Sequence, residues 1–264
     1  MPTSNATNPD LDWLRSVLAT TPDLAVAVSG GVDSLTLAHV AAAVCPGFEA
    51  IHAVSPAVPV SATERVQRHA AAGHWRLRII DAGEFADPDY LKNPVNRCYY
   101  CKSNLYRRMR GLVGPGAIAS GTNLDDLGDF RPGLEAASHA GVVHPFVEAG
   151  LDKAAVRGIA RFLSLDDIAE LPAQPCLASR VETGIAIDSD DLAFADRVES
   201  EVRRHVVNAD VRCRITRNGV RLEASQRPPE AVTALIARWC GSVGRTWLGA
   251  SEYRRGSAFR HDAG

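Results

Sequence analysis

Short apolar runs alternate with stretches of helical period through the N-terminal half of the chain. Leu24–Val28, Glu49–Val54, Arg76–Asp81, Ala117–Ser120 and Val142–Val147 read as strands. Leu35–Val44, about Ser61–Gly73, Ser103–Leu112 and Lys153–Phe162 carry the spacing of helices. Strands alternating with helices at this interval predict a parallel sheet covered on both faces. Ligands of such sheets sit at the carboxyl ends of the strands. Two loops leave the chain at such ends, Ser29-Gly30-Gly31 and Gly121-Thr122-Asn123.

The pattern loosens over Ser164–Ile187, which contains Pro172, Pro175, Cys176 and Gly184. A long irregular segment in a compact protein is usually functional or disordered. Beyond it come a helix over about Asp190–Val206, strands Val211–Thr216 and Val220–Ala224, and a helix over Pro229–Trp239. Asn218-Gly219 between the two strands predicts a hairpin turn. The expected fold class is α/β, with one domain over residues 1–187 and a small α+β domain over 188–264.

Composition narrows the class of function. The chain has 264 residues, 46% hydrophobic and 23% charged, with a net charge of −2. That balance supplies no strong field for nucleic acid or an anionic membrane, so neither is expected as a partner. No run approaches the ~20 apolar residues of a membrane span, and Met1–Trp13 lacks the basic start and apolar run of a secretory signal. Six scattered cysteines fit reduced thiols in a cytoplasmic protein. Lysine occurs only at 92, 102 and 153, so anion recognition falls mostly to arginine.

Ser29-Gly30-Gly31-Val32-Asp33-Ser34 lies between a buried strand and a helix. Adjacent glycines let several backbone N–H groups converge on one anion, and the helix N-terminus adds a favourable partial charge. Ser29 and Ser34 add hydroxyls, while Asp33 holds the loop or a Mg²⁺ ion. A Gly-Gly turn with a Ser/Asp cap would use the same residues, but strand, motif and helix agree here on phosphate binding. No Walker lysine follows, and no G-x-G-x-x-G is present at this turn.

After the fourth strand, Gly121-Thr122-Asn123-Leu124-Asp125-Asp126-Leu127-Gly128-Asp129 gathers three carboxylates at the same sheet edge. Asp126 and Asp129 are the preferred Mg²⁺ ligands, against the alternative of an acidic loop capping the next helix. Cys98 and Cys101 form a lone C-x-x-C, too few for a Cys₄ zinc site, leaving a redox pair or simple packing beside tyrosines. Cys176 sits in the irregular segment with Arg180 nearby, a setting that favours a thiolate. Cys45, Cys213 and Cys240 fall in regular apolar patterns and read as core.

The SGGVDS loop resembles that of the PP-loop ATP pyrophosphatases, with a HUP-like, Rossmann-like domain. This resemblance implies cleavage of ATP to AMP and pyrophosphate. Taken with Asn96–Lys102 (NRCYYCK), Gly121–Gly133 (GTNLDDLGDFRPG), Cys176–Arg180 (CLASR), Val211–Arg214 (VRCR) and Tyr253–Ser257 (YRRGS), the chain resembles the LarE sulfur transferases, which serve nickel-pincer nucleotide synthesis. The resemblance implies adenylation of a pyridinium mononucleotide dicarboxylate by ATP and Mg²⁺. Cys176 then forms a thioester, and its Cβ–S bond is cleaved to leave a thiocarboxylate and dehydroalanine. Ser29, Gly30, Gly31, Asp33, Ser34, Gly121 and Thr122 would bind ATP, and Arg212 and Arg214, alternating on one strand, would clamp the substrate phosphate. Ser179, Arg180 and Glu223 would position substrate or assist the cleavage. Some members instead hold a [4Fe–4S] cluster on three cysteines, here Cys98, Cys101 and Cys176. The family also implies a homo-oligomer. An amide ligase of the NAD-synthetase or GMP-synthetase kind and a non-catalytic adenine-nucleotide sensor remain alternatives.

Overall fold

Asn8 opens the first helix: its side chain accepts the Leu11 amide at 3.0 Å and caps α1 (Pro9–Ala19). The structure, a computed structural model, describes residues 7–128, 132–207 and 209–253. Following α1 come β1 (Leu24–Ala27), α2 (Val32–Val44), β2 (Glu49–Val54), α3 (Val60–Ala72), β3 (Leu77–Asp81), α4 (Pro88–Leu91), α5 (Arg97–Val113) and β4 (Ala117–Ala119). The chain continues through α6 (Pro132–His139), β5 (Val142–Val143), α7 (Pro145–Glu148), α8 (Lys153–Phe162) and α9 (Asp166–Ala169). It ends with α10 (Ser189–Arg203), β6 (Val211–Thr216), β7 (Gly219–Ala224), α11 (Glu230–Ser242) and β8 (Trp247–Glu252). Among these residues no helix is long and apolar enough to cross a membrane.

Two compact units divide the chain. The first comprises Met1–Val54, Ser61–Glu84 and Cys98–Leu171; the second comprises Ser55–Val60, Phe85–Arg97 and Pro172–Gly264. Two inserts from the N-terminal half therefore fold with the C-terminal residues.

The first unit is built on a five-stranded, all-parallel sheet of order β3-β2-β1-β4-β5. Leu24 and Val26 of β1 pack with Leu14, Leu35 and Ile159, whereas Ala25 between them packs with Ile118, Leu105 and Met109. This alternation sends successive residues of one strand into two cores, as expected of a sheet buried on both faces. Cutting a leucine of such a core to alanine costs about 2–5 kcal/mol. Strand order reverses between β1 and β4, and a crevice opens at the carboxyl ends of strands at such a switch point. The glycine loop and Gly121 leave those two strands.

Two boundaries differ most from the pattern. Strand β5 stops at Val143 because Pro145 starts α7, where proline suits the first helical turn. Helix α5 begins at Arg97, so the C-x-x-C lies in its first turn. Its buried Leu105, Tyr106 and Met109 mark the helical face only further on.

In the second unit β6 and β7 form the expected antiparallel hairpin, and β8 adds in parallel to β7. Gly219 pairs with Thr216 as the first residue of β7, so the connection is Arg217-Asn218 and not Asn218-Gly219. The glycine serves the third strand: a Cβ there would run into the Thr246 carbonyl just before β8. Helix α10 packs through Ala195, Val198 and Val202 against Val211, Cys213 and Ile215. The irregular segment is ordered by backbone bonds. Leu177 N reaches Ala57 O (2.8 Å), Gly184 N reaches Asn93 O (3.0 Å), Ile187 N reaches Leu91 O (2.8 Å), and Glu182 N reaches Ile215 O (2.9 Å).

Candidate functional site

The glycine loop of the first unit is braced by its own hydroxyls. Ser34 Oγ accepts from Ser29 N (3.1 Å) and lies 3.1 Å from Ser29 Oγ. Gly30 has φ +85°, and a Cβ on it would stand 2.7 Å from the Ala62 carbonyl. Glycine is thus required twice there, by conformation and by close approach. Arg65, almost fully buried on α3, donates to Gly30 O at 2.7 Å. Gly31 is the N-cap of α2 and offers its first turn no side-chain acceptor, which leaves these amides suited to an anion.

Gly121 lies directly against this loop. A Cβ on Gly121 would be 2.8 Å from Ser34 N and 2.9 Å from Asp33 C. Asn123 Nδ2 donates to Asp33 Oδ1 (3.3 Å), and Lys153 Nζ donates to both Asp33 oxygens (2.8 and 2.6 Å). Thr122 shares Ser120 Oγ with His144: the hydroxyls are 2.9 Å apart, and His144 Nδ1 is 2.9 Å from Ser120 Oγ. Burial holds His144 below the usual imidazole range, as it does His52, which bridges Val28 O (2.7 Å) and Thr63 Oγ1 (2.9 Å) beneath the loop.

The acidic loop works partly on its own backbone. Asp126 accepts the Asn123 amide (3.1 Å), and Asp125 accepts the Lys153 amide (3.2 Å). Asp129 lies outside the described residues, as do Arg254–Ser257 of the C-terminal motif. Among the described residues no three His, Cys, Asp or Glu side chains gather as a metal ion would need. Cys98 is exposed and Cys101 half-buried.

The second unit contains the other named residues. Cys176, half-buried, immediately precedes a single tight helical turn, Leu177–Arg180. Three guanidinium groups hold this loop by its carbonyls. Arg212 donates to Ala173 O (2.8 Å), Arg180 to Pro175 O (2.9 Å) and Cys176 O (3.4 Å), and Arg214 to Ser179 O (2.9 Å). Arg214 also pairs with Glu223 at 2.9 Å, and Arg212 lies over the Tyr253 ring, 5.2 Å from its centroid.

Beneath them lies a buried ion pair. Arg180 is 1% exposed and Glu199 0%. Arg180 Nε and Nη2 meet the two Glu199 oxygens at 2.7 and 2.8 Å, and Glu199 also accepts from Arg203 (2.7 Å) and Cys213 N (2.9 Å). Burial opposes the Glu199 charge, but Arg180 and Arg203 overcome it and keep the carboxyl below its ordinary range. Burial also lowers the affinity of Arg212 for its proton, with Arg180 adding to the effect. Desolvation pushes the thiols of Cys45, Cys213 and Cys240 up, as expected of core cysteines.

The structure thus gathers Ser29–Ser34 with Gly121, and separately Cys176 with Ser179, Arg180, Arg212, Arg214 and Glu223. Sequence reading named Asn123 only as part of its loop and missed Lys153, Arg65 and Glu199. Lysine scarcity was a usable signal for Lys153. The helical pattern of α10 carried a signal for Glu199, which falls four residues after Ala195 and three before Val202 on the buried stripe.

Fold and loop define an α/β protein with a Rossmann-like parallel sheet and a glycine loop at its switch point. No family model matches the chain. It is 36% identical over 230 residues to an uncharacterised protein of Synechocystis sp., covering 86% of this chain and 84% of that one. The chain belongs to the family of that protein. It is also 26% identical over 187 residues to an uncharacterised protein of Methanocaldococcus jannaschii, covering 70% of this chain and 71% of that one. A distant homologue is the pyridinium-3,5-bisthiocarboxylic acid mononucleotide synthase of Lactiplantibacillus plantarum. It is 27% identical over 184 residues, 67% of this chain and 66% of the synthase.

Proposed function

We propose that the protein is an AMP-forming sulfur transferase of PP-loop type that converts a carboxylate of a pyridinium mononucleotide into a thiocarboxylate. The observation that carries this reading is the 184-residue match to a synthase whose name specifies a bisthiocarboxylic acid mononucleotide. The glycine loop at the end of β1 supports it, because converging backbone amides suit a polyphosphate.

In this reading magnesium-bound ATP rests on Ser29–Ser34, with Asp33, Gly121 and Thr122 beside it. The substrate carboxylate attacks the α-phosphorus and pyrophosphate leaves. The Cys176 thiolate displaces AMP from the acyl adenylate, giving a thioester, since a thiolate is a strong nucleophile and AMP a good leaving group. Cleavage of the Cys176 Cβ–S bond releases the thiocarboxylate and leaves dehydroalanine. Arg212 and Arg214 take the substrate phosphate, exchanging carbonyl partners for phosphate oxygens.

The test is anaerobic purification, iron analysis, and incubation with MgATP and the pyridinium dicarboxylate mononucleotide. AMP, thiocarboxylate and intact protein mass are then measured. The expected result is AMP formation with a protein mass loss of about 34 Da, one H₂S, at Cys176. Turnover with unchanged protein mass overturns Cys176 as sulfur donor; bound iron would then select a cluster on Cys98, Cys101 and Cys176. With ammonia added, carboxamide formation by Cys176→Ala would select an amide ligase, and nucleotide binding without AMP a sensor.

A further inference from the structure

We propose that Arg180 stabilises the enolate through which Cys176 loses its sulfur, making it a catalytic residue for carbon–sulfur cleavage. This inference rests on the sulfur-transfer reading and concerns its last step. Arg180 has its Nε and Nη2 committed to Glu199, at 2.7 and 2.8 Å. Its Nη1 is aimed at the Cys176 loop: Pro175 O and Ser179 Oγ at 2.9 Å each, and Cys176 O at 3.4 Å. Glu199 is fixed by Arg203 and by the Cys213 amide. A buried cation is therefore preorganised beside the carbonyl of the very residue whose side chain reacts.

The chemistry of that residue gives the placement its meaning. A thioester on Cys176 departs by β-elimination. The Cα proton passes to a water molecule acting as base, and the electron pair left on Cα forms the Cα=Cβ bond. The Cβ–S bond breaks, and sulfur leaves with its pair as the thiocarboxylate. The step is redox-neutral and needs no further reagent. Negative charge that develops on Cα delocalises onto the Cys176 carbonyl oxygen, the atom that Arg180 Nη1 contacts. The 3.4 Å contact of the thiol form tightens as that charge grows, drawing on the proton that Nη1 now shares with Ser179 Oγ. Removing one such preorganised donor costs about 10²–10³-fold in rate where it has been measured. The Pro175 and Ser179 bonds from the same nitrogen keep the loop from drifting off the cation.

The elimination can be studied without the enzyme's own substrate. Full-length protein is treated with 2,5-dibromohexanediamide, which turns accessible thiols into cyclic sulfonium groups that eliminate in mild base. Dehydroalanine is then followed peptide by peptide by mass spectrometry, with the exposed Cys98 as reference in the same sample. Elimination at Cys176 is expected to be at least about tenfold faster than at Cys98 in the folded protein, and comparable in urea. Arg180→Lys, which keeps a positive charge opposite Glu199, and the neutral pair Arg180→Gln/Glu199→Gln should slow Cys176 alone. Equal rates at the two cysteines in the folded wild type would overturn the proposal, and that comparison needs no variant to fold.

With MgATP and the carboxylate, Arg180→Lys should accumulate the Cys176 thioester mass in place of dehydroalanine; dehydroalanine at the wild-type rate overturns the proposal. If the wild type forms no thioester while its folded-state elimination advantage persists, the sulfur-transfer reading has failed and the assignment to Arg180 has not.

Discussion

The Lys153 ammonium lies 2.6 Å from one carboxylate oxygen of Asp33 and 2.8 Å from the other, tying helix α8 to the first turn of α2. One of the chain's three lysines is thus held beside the glycine loop, with its charge balanced by an aspartate that the proposed function assigns to MgATP.

Both side chains retain solvent contact, with relative exposures of 33% and 27%, so the pair should contribute little to stability, about 0–1 kcal/mol. Lys153→Met is therefore expected to leave the melting temperature nearly unchanged. It should weaken MgATP binding by about tenfold or more, because Asp33 beside the phosphate loop loses its counter-charge. Thermal denaturation and titration calorimetry separate the two effects; a large fall in stability with unaltered ATP affinity would make the pair merely structural.

Gly121→Ala should be more damaging than its size suggests. The added methyl would stand 2.8 Å from Ser34 N and 2.9 Å from Asp33 C, and both are backbone atoms that cannot swing away. Overpacking of this kind costs about 1–3 kcal/mol. Urea unfolding should show that loss, and ATP affinity should fall with it because the displaced atoms belong to the phosphate loop. A variant as stable and as tight-binding as the wild type would contradict the close approach.

Arg180→Met leaves the buried Glu199 carboxylate with Arg203 as its remaining cation, and removing one partner of a buried ion pair costs up to about 3–5 kcal/mol. Arg180→Met/Glu199→Gln removes the undercompensated charge and should be no less stable than Arg180→Met alone. Urea midpoints of wild type, single and double variants decide it. Strict additivity of the two single substitutions would mean that the residues do not act as a pair.

Acid should weaken the fold through its histidines. Burial, reinforced by His69, lowers His39 from its ordinary 6.5 to about 4, and burial lowers His52 and His144 as well. Between those two pH values the unfolded chain binds a proton at His39 that the folded protein refuses. Stability therefore falls as pH drops from 6.5 towards 4, and this loss is complete below about 4. Melting temperatures across that window should decline, and His39→Gln should flatten the slope. A melting temperature that rose on acidification would reverse the assignment.

Much of the first unit was legible in the chain because β1 and β4, at the centre of the sheet, are buried on both faces and stand out as apolar runs. The glycine loop was equally plain, since its residues are consecutive. Legibility failed where a residue's work is set by a distant partner. Gly219 looked like half of a turn, but its requirement comes from Thr246. Arg180 was expected beside Cys176, but its bonds to two carbonyls and a hydroxyl of the loop are not announced by the spacing of the two residues. Strand β8 escaped notice because it carries a glycine and exposes apolar Leu248 and Ala250 as well as Ser251 and Glu252, leaving no apolar–polar alternation to read. Glu199 sits on a helix rich in other acids, and its place on the apolar stripe has meaning only once Arg180, nineteen residues earlier, is known to meet it.

The interleaving of the two units limits how the protein can be rearranged. Leu177, Gly184 and Ile187 take backbone partners from Ala57, Asn93 and Leu91, which the chain delivers long before the rest of the second unit. A fragment starting at Pro172 would lack those partners and leave three amides to water. Neither half can be transplanted as a single stretch of gene. Ancestral shuffling, laboratory chimeras and split reporters must all move the two inserts together with the C-terminal residues that they anchor.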